Sequence, residues 1–266
     1  MSYSIIRIYT HKLTIDKEVL MINYKMIIAY DGSRYNGFQR QSKHPEKTIQ
    51  GKIENVLSKL FEEDIQIIGS GRTDAGVHSK GQVCNFHTHK NLSEAHILNY
   101  LREYLPQDIA IIKLAIASER FHSRYNVVSK CYTYTIDNGF FPDPFALKFA
   151  YHVPELLNIE AMQEASKLLL GEHDFKAFTS LKSKTKSTVR NIKRIDIVKT
   201  GNQITLTYEG NGFLQHMVRI LTGTLIEVGL GTREITSIAD LLENQTRCEA
   251  GPKVPAHGLC MEKVTY

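Results

Sequence analysis

At 266 residues the chain suits one large domain or two small ones, and its content of 42% hydrophobic and 23% charged residues is ordinary for a soluble globular protein. The formal net charge of +5 permits a polyanionic partner without requiring one. No apolar run approaches the ~18 residues of a membrane span and the N-terminus lacks a signal peptide, so we expect a cytoplasmic protein with no membrane partner.

The N-terminal half alternates predicted strands and helices. Residues 1–21 are expected to be a peripheral extension. Ser93 is expected to cap the second helix, and Pro106 to end it. This alternation indicates an α+β layer with helices on one face of a sheet. The predicted elements are strand Tyr24–Tyr30, helix Thr48–Glu63, strands Ile65–Gly69 and Gln82–Phe86, helix Ser93–Leu105 and strand Ile109–Ala117.

The stretch IGSGRTDAGVHSKGQVCNF, residues 68–86, is the strongest candidate for a functional site. Four glycines lie between two apolar runs, around a dense set of polar groups that includes Arg72 and Asp74. No second carboxylate, Cys or His stands at metal spacing, and the GxxxxGK[ST] pattern of a phosphate loop is absent. Two interpretations remain open: a lone carboxylate acting as nucleophile or general base, or an Asp–Arg pair that pins a tight turn.

The segment SRYNGFQRQ, which follows the first strand, mixes aromatic and cationic side chains. Arg34, Tyr35, Phe38 and Arg40 form the interleaved pattern of single-stranded nucleic-acid contacts. The alternative is a surface loop with two buried rings.

The C-terminal half repeats the order of elements without repeating the sequence. Tyr132 and Tyr134 are predicted to share one face of a strand, which usually means core packing. Gly171 is expected to close the first helix of this half. The predicted elements are strand Val127–Asp137, helix Ile159–Leu170, strands Val189–Lys199 and Gln203–Glu209, helices Phe213–Val228 and Ile235–Leu242, and a final strand Leu259–Thr265.

Several cations lie outside the glycine-rich stretch. KSKTKSTVRNIKR, residues 182–194, contains no acid and is either a solvated face or a phosphate-binding loop. His122 and Arg124 could also reach phosphate, or lie idle on the surface. His216 has no partner at ligand spacing, so we interpret it as helix packing. A lone helical arginine such as Arg219 would normally extend to solvent.

GRTDAGVHSKGQV closely resembles the active-site motif of the tRNA pseudouridine synthase A (TruA) family. IAYDGSRYNGFQRQ, FHSRYNVVSKCYTYTI, GNGFLQHMVRILTG and GLCMEKVTY match in family order, with Phe38 where the family more often has Trp. The resemblance implies an α+β fold of two related ferredoxin-like halves, residues 22–125 and 126–266. These halves would form one continuous antiparallel sheet flanked by helices, with the active-site cleft between them.

The same resemblance implies that uridine is isomerised to pseudouridine at positions 38, 39 and 40 of tRNA, by a homodimer, without cofactor or metal. Asp74 would be the catalytic nucleophile, and Arg219 would pair with it and keep it charged. Arg72 would help to displace the target base, and Tyr132 would stack on the flipped uracil. RNA contacts are expected from Arg34, Arg40, Lys182, Lys184 and Lys186.

Three alternative functions are compared with the one that the resemblance implies. A paralogue could apply the same chemistry to another RNA. A catalytically silent RNA-binding protein could have lost Asp74, which this chain retains. A hydrolytic N-glycosidase would commonly use a second acid, which the glycine-rich stretch does not supply.

Overall fold

A computed structural model describes residues 21–180, 187–244 and 247–266, and within them ten strands and five α-helices. The helices are α1 (Ile49–Phe61), α2 (Glu94–Tyr104), α3 (Ile159–Lys167), α4 (Met217–Gly229) and α5 (Ser237–Asn244). The strands are β1 (Ile22–Tyr30), β2 (Ile68–Gly69), β3 (His78–Thr88), β4 (Ile109–Ala117), β5 (Ser129–Asp137), β6 (Tyr151–His152), β7 (Gly171–Asp174), β8 (Val189–Thr200), β9 (Gln203–Gly210) and β10 (Leu259–Thr265).

All ten described strands join one sheet, whose main order is β4-β1-β3-β10-β5-β9-β8-β7, with β2 beside β3 and β6 beside β5. The first half runs β1-α1-β2-β3-α2-β4, and its order β4-β1-β3-β2 is that of a ferredoxin-like unit. The order β10-β5-β9-β8 repeats it in the second half. The predicted α+β fold of two related halves is therefore confirmed, while the boundary between residues 125 and 126 stays a prediction.

The sheet is not wholly antiparallel, so that part of the expectation is wrong. The halves meet where β10 runs parallel to β3, with Cys260 opposite His78 and Met261 opposite Ser79. The short strand β6 is also parallel to β5. The connections within each half set the directions of its strands. The relative direction of β3 and β10, where the halves meet, follows from these connections.

Each half buries its own apolar core between sheet and helices. In the first half, alternate residues of β1 pack against α1 and α2: Tyr24, Met26, Ile28 and Tyr30 are all buried. In the second half α4 is the central helix, because every residue from Met217 to Gly229 except Glu227 is buried. This burial explains why its sequence is apolar on almost every side.

Side-chain caps fix the starts of three helices. Thr48 accepts a hydrogen bond from Gly51 N at 3.2 Å, the predicted cap Ser93 accepts one from His96 N at 3.3 Å, and Asn158 accepts one from Ala161 N at 3.0 Å. Strands β4 and β10 have the predicted bounds. In the described part of the chain, no helix is long and apolar enough to cross a membrane.

Several predicted bounds are wrong in detail; the predicted strand Gln82–Phe86, for example, runs from His78 to Thr88. The predicted strand from Ile65 reduces to Ile68–Gly69, and the predicted helix from Phe213 begins only at Met217. Helix α3 ends at Lys167, three residues before its predicted end, and Gly171 (φ 94°) starts the unpredicted strand β7 rather than closing the helix. The short strand β6 was also not predicted.

Candidate active site

The loop that carries Asp74 (residues 70–77) connects β2 to β3, and hydrogen bonds hold it at its start and in the middle. Ser70 N donates to Val83 O at 2.8 Å, and Gln82 Nε2 donates to Gly71 O at 2.9 Å. The hydroxyls of Tyr30 and Thr73 are 2.8 Å apart, and Thr73 is buried. The residue before Asp74 is therefore fixed, which limits where the carboxylate can lie.

The loop of residues 31–40 packs directly against the Asp74 loop. Phe38 N donates to Thr73 O at 3.1 Å. Gly37 has φ 99°, a left-handed conformation, and a Cβ there would lie 2.7 Å from Thr73 O. Tyr35 and Phe38 are both buried, at 6% and 2% exposure. Of the two alternatives for this segment, the burial favours two buried rings. Both rings support the Asp74 loop, and Phe38 also borders the cavity described below.

Asp74 pairs with a cation from the opposite half of the molecule. Arg219 Nη1 donates to Asp74 Oδ2 at 3.1 Å, which confirms the predicted ion pair. Arg219 is 8% exposed, and its Nε donates to Val254 O at 2.8 Å. Because two bonds orient the guanidinium, it presents a fixed donor to the carboxylate. The alternative of an Asp74–Arg72 pair pinning a turn is not what the structure shows.

His216 also faces Asp74, so its interpretation as helix packing is wrong. It occupies the position before α4 with φ 64°, and its Nε2 lies 3.6 Å from Asp74 Oδ2. Its Nδ1 is buried without a hydrogen-bond partner among the described residues. Burial lowers the pKa of His216, Asp74 opposes this shift, and Lys253, Arg219 and Arg247 add to it. Its αL conformation, rare for a non-glycine residue, is a backbone signal that sequence periodicity does not carry.

A cavity of about 790 Å³ lies above Asp74 and receives residues from both halves. Among the described residues that line it, Asp74 is the only acid. Its walls include the aromatic rings of Phe38, Tyr132 and Phe213. Such a cavity can take a flat ring against its aromatic side chains and offers one carboxylate to react with it.

Tyr132 contributes a buried ring and an unengaged hydroxyl to this cavity. It is 7% exposed and contacts Phe213 edge to face, with ring centroids 5.2 Å apart. Its hydroxyl has no hydrogen-bond partner among the described residues, and burial raises its pKa, with Tyr30 and Asp74 adding to the shift. Tyr134, on the same strand face, is fully buried and donates to Pro255 O at 2.8 Å. Tyr132 thus borders the cavity while Tyr134 serves the core.

The predicted RNA-contacting cations fall in three different environments. Arg72 is exposed at the cavity and, within the described residues, has no ion pair or hydrogen bond. Arg34 pairs with Asp108 at 2.6 Å and Arg40 with Glu54 at 3.3 Å, and neither lines the cavity. Lys182, Lys184 and Lys186 lie outside the described residues. The role of Arg72 stays a prediction. RNA contact by the other five cations also stays a prediction.

Metal ligands are not grouped in the described part of the chain: no three His, Cys, Asp or Glu side chains come together there in a metal-binding arrangement. The side chains around Asp74 offer one ion-paired carboxylate, one neighbouring imidazole and one phenol.

Comparison with known proteins identifies one family over most of the chain. A family model described as tRNA pseudouridine synthase matches residues 26–126 and 165–266. The chain is 50% identical to tRNA pseudouridine synthase A 1 of Clostridium tetani, over 92% of this chain and 100% of the relative. With the same coverage it is 46% identical to tRNA pseudouridine synthase A of a Bacillus species and 44% identical to tRNA pseudouridine synthase A 2 of Bacillus cereus.

Proposed function

The chain belongs to the tRNA pseudouridine synthase family, and we propose that it isomerises uridine in the anticodon stem-loop of tRNA, at positions 38, 39 and 40, with Asp74 as nucleophile. It is an isomerase that acts on tRNA. The observation that carries the finer proposal is the Asp74–Arg219 pair at the base of a cavity with no second described acid.

The reaction needs one carboxylate that stays charged. A carboxylate oxygen of Asp74 attacks C1′ of the ribose, and the N1–C1′ bond breaks to leave a uracil anion. The uracil rotates, its C5 attacks C1′, and the Asp74 carboxylate leaves. N1 gains a proton and C5 loses one, so the product is an isomer of the substrate. Abstraction of the C2′ proton by the same carboxylate is the alternative first step.

The absence of a second acid among the described lining residues favours isomerisation over hydrolysis. Glycoside hydrolysis commonly uses two carboxyl groups, one of which activates water. Here the rings of Tyr132 and Phe213 border the cavity, and they can hold the cleaved uracil in place until C5 reacts. Retention of the base is what separates the two outcomes.

Arg72 is the residue proposed to open the RNA. It lines the cavity from the Asp74 loop and has no partner among the described residues, so its guanidinium is available to enter the stem. Displacing a paired base costs about a few kcal/mol. Stacking of the Arg72 guanidinium in the vacated position can offset part of this cost.

The test maps pseudouridine in a tRNA transcript with uridine at 38, 39 and 40, by carbodiimide treatment and primer extension. The wild type is expected to give stops at these positions and Asp74→Asn none. Asp64→Asn is the matched control, because Asp64 is an exposed acid whose side chain accepts a hydrogen bond only from Gln66 among the described residues. Release of free uracil by the wild type would instead identify a glycosidase, and stops with Asp74→Asn would remove Asp74 from the central role.

We also propose a homodimer, supported by an exposed apolar surface between β5 and α3. Phe140, Phe141, Phe145 and Leu156 are 82%, 78%, 95% and 85% exposed. Asp137 orders this loop, since its carboxylate accepts hydrogen bonds from Gly139 N and Asp143 N. Exposed rings on an ordered loop mark an interaction surface, and a second copy would bury the same rings on both sides.

Sedimentation equilibrium tests the homodimer. The wild type is expected at twice the mass of the chain and Phe145→Ser at the monomer mass. Ile112→Ser on the outer surface of β4, where Ile112 is 60% exposed, is expected to leave the dimer intact. A monomeric wild type would overturn the proposal.

A further inference from the structure

Three cations line the active-site cavity and take no part in the reaction proposed above. Arg124 precedes β5, Lys130 lies on β5, and Arg190 lies on β8, yet all three line the cavity. Their closeness is reflected in the pKa of Lys130: burial, with the charges of Arg124 and Arg190 adding to its effect, lowers the pKa of this ammonium to about 8.

These cations lack the acids that neutralise other arginines of the molecule. Arg34 pairs with Asp108, Arg40 with Glu54 and Arg233 with Glu227. In the described ranges, no carboxylate forms an ion pair with Arg124, Lys130 or Arg190, and Asp74 is the only acid on the cavity wall. Arg124 is exposed, but Lys130 and Arg190 are partly buried, and their burial lowers the pKa of both groups. Removing positive charge from water without a counterion is costly, and a bound anion reduces that cost.

Lys130 has donors to spare. Its Nζ donates one hydrogen bond, to Ser70 O at 2.8 Å, and an ammonium group has three N–H donors. Arg190 uses one of its terminal nitrogens for the carbonyls of Ser187 and Val189. The remaining N–H groups of the guanidinium are free of partners in the described part of the chain, and they suit the oxygens of a phosphate.

The distance between Lys130 and Tyr132 indicates the size of ligand that could contact both. The two residues are two positions apart on one strand, so they share a face at a spacing of about 7 Å. This spacing is comparable to the distance between the base and the phosphate of a single nucleotide. A uracil against Tyr132 therefore brings a phosphate within reach of Lys130.

We propose that Arg124, Lys130 and Arg190 form a binding site for one backbone phosphodiester of the RNA, adjacent to the target uridine. The site rests on the proposed function, because it presumes a uridine above Asp74. Lys130 also bonds Ser70 O at the start of the Asp74 loop, so the bound phosphate is connected to that loop through one side chain.

The test removes the charge of one phosphate at a time. Stem-loop RNAs carry a single methylphosphonate, in which a methyl group replaces one charged oxygen, at each linkage around the target uridine. Dissociation constants are measured in the Asp74→Asn background, so that the RNA is not converted. One linkage is expected to weaken binding about tenfold when neutralised, as for a lost hydrogen bond to a charged group.

The same modification is then tested against variants of the cations. With Arg190→Gln or Lys130→Gln, the penalty at that linkage is expected to fall below about twofold, because the charge that recognised the phosphate is gone. Arg102→Gln is the control, because Arg102 is an exposed cation on α2 that does not line the cavity, and it should leave the tenfold penalty unchanged. Arg190 is the second variant because it does not contact the Asp74 loop in the described structure, and circular dichroism checks the fold of each.

The outcomes separate the two proposals. Equal penalties in the parent and in both cavity variants would show that these cations do not contact the phosphate, and would overturn the site while pseudouridine formation by the wild type stands. A protein that neither binds the stem-loop nor forms pseudouridine would overturn the proposed function and this site with it.

Discussion

Arg219 Nη1 lies 3.1 Å from Asp74 Oδ2, although the two residues are 145 positions apart in the chain. Asp74 comes from a loop of the first half and Arg219 from the first turn of α4 in the second. The cavity exists where these two segments meet, so the ion pair also joins the halves at the point where chemistry is proposed.

Replacing Arg219 should separate charge from geometry. Arg219→Met is expected to lower kcat about 100-fold, because the carboxylate loses its only described ion-pairing arginine. Arg219→Lys keeps the charge but lacks the planar guanidinium that bonds both Val254 O and Asp74. Its kcat should therefore lie between those of the wild type and Arg219→Met. Single-turnover rates measure both variants. A kcat of Arg219→Met equal to that of the wild type would contradict the assigned partnership.

Replacing Tyr132 should distinguish its ring from its hydroxyl. We expect the hydroxyl of Tyr132 to carry a proton in the reaction, so Tyr132→Phe should keep KM and lower kcat about 100-fold. Tyr132→Leu should in addition raise KM about tenfold, because the stacking surface is lost. Steady-state kinetics on one stem-loop measure both constants. A fully active Tyr132→Phe would reduce Tyr132 to a stacking role.

Adding one methyl group at Gly37 should disturb the Asp74 loop. In Gly37→Ala the new Cβ would meet Thr73 O at 2.7 Å with φ at 99°, so the backbone must shift. The free energy of unfolding is expected to fall by about 2 kcal/mol, and turnover at least about tenfold. Urea denaturation and initial rates measure the two effects.

Gly201→Ala is the matched control for Gly37→Ala. Gly201 also has positive φ, 59°, but no atom lies within 4 Å of its Cβ position. It should cost about 1 kcal/mol of unfolding free energy and leave turnover unchanged. Equal losses of turnover in both variants would show that the contact between Gly37 and Thr73 is unimportant.

Stability should fall on mild acidification because three histidines are buried or partly buried. Burial lowers the pKa of His78, His216 and His257 below the ordinary 6.5. The unfolded chain then binds more protons than the folded one, so stability is complete above pH 6.5 and decreases as the pH falls through that value.

Urea denaturation at about pH 7.5 and 5.5 measures this change, since Asp and Glu titrate mostly below that window. His257→Gln removes one of the three contributions and should give a smaller difference between the two pH values. A wild type that is more stable at the lower pH would contradict the sign.

The local part of this molecule could be predicted from sequence. Strands β4 and β10 have the predicted bounds, because a run of alternating or apolar residues between turn signals is a local pattern. Ser93 and Pro106 bound α2 for reasons contained within a few residues. The short strands β6 and β7 were missed, because two to four residues at the margin of a sheet carry almost no periodic signal.

The residues of the site also divide into those that the sequence predicts and those that only the structure brings together. Asp74 and Arg72 lie in one glycine-rich loop whose composition marks it, and the family resemblance added Tyr132 and Arg219. That His216, Lys130 and Arg190 line the same cavity as Asp74 is not predictable from local pattern, because each is contributed by a different element.

The sequence by itself determined the family, the α+β class, the repeated order of elements and the residue that is proposed to react. Only the tertiary structure decided that the halves join through a parallel strand pair, that Tyr35 and Phe38 support a loop, and that three unneutralised cations share a wall with Asp74. Helix caps and strand periods depend on neighbours in the chain, whereas a cavity depends on which distant side chains the folded sheet brings within a few ångströms.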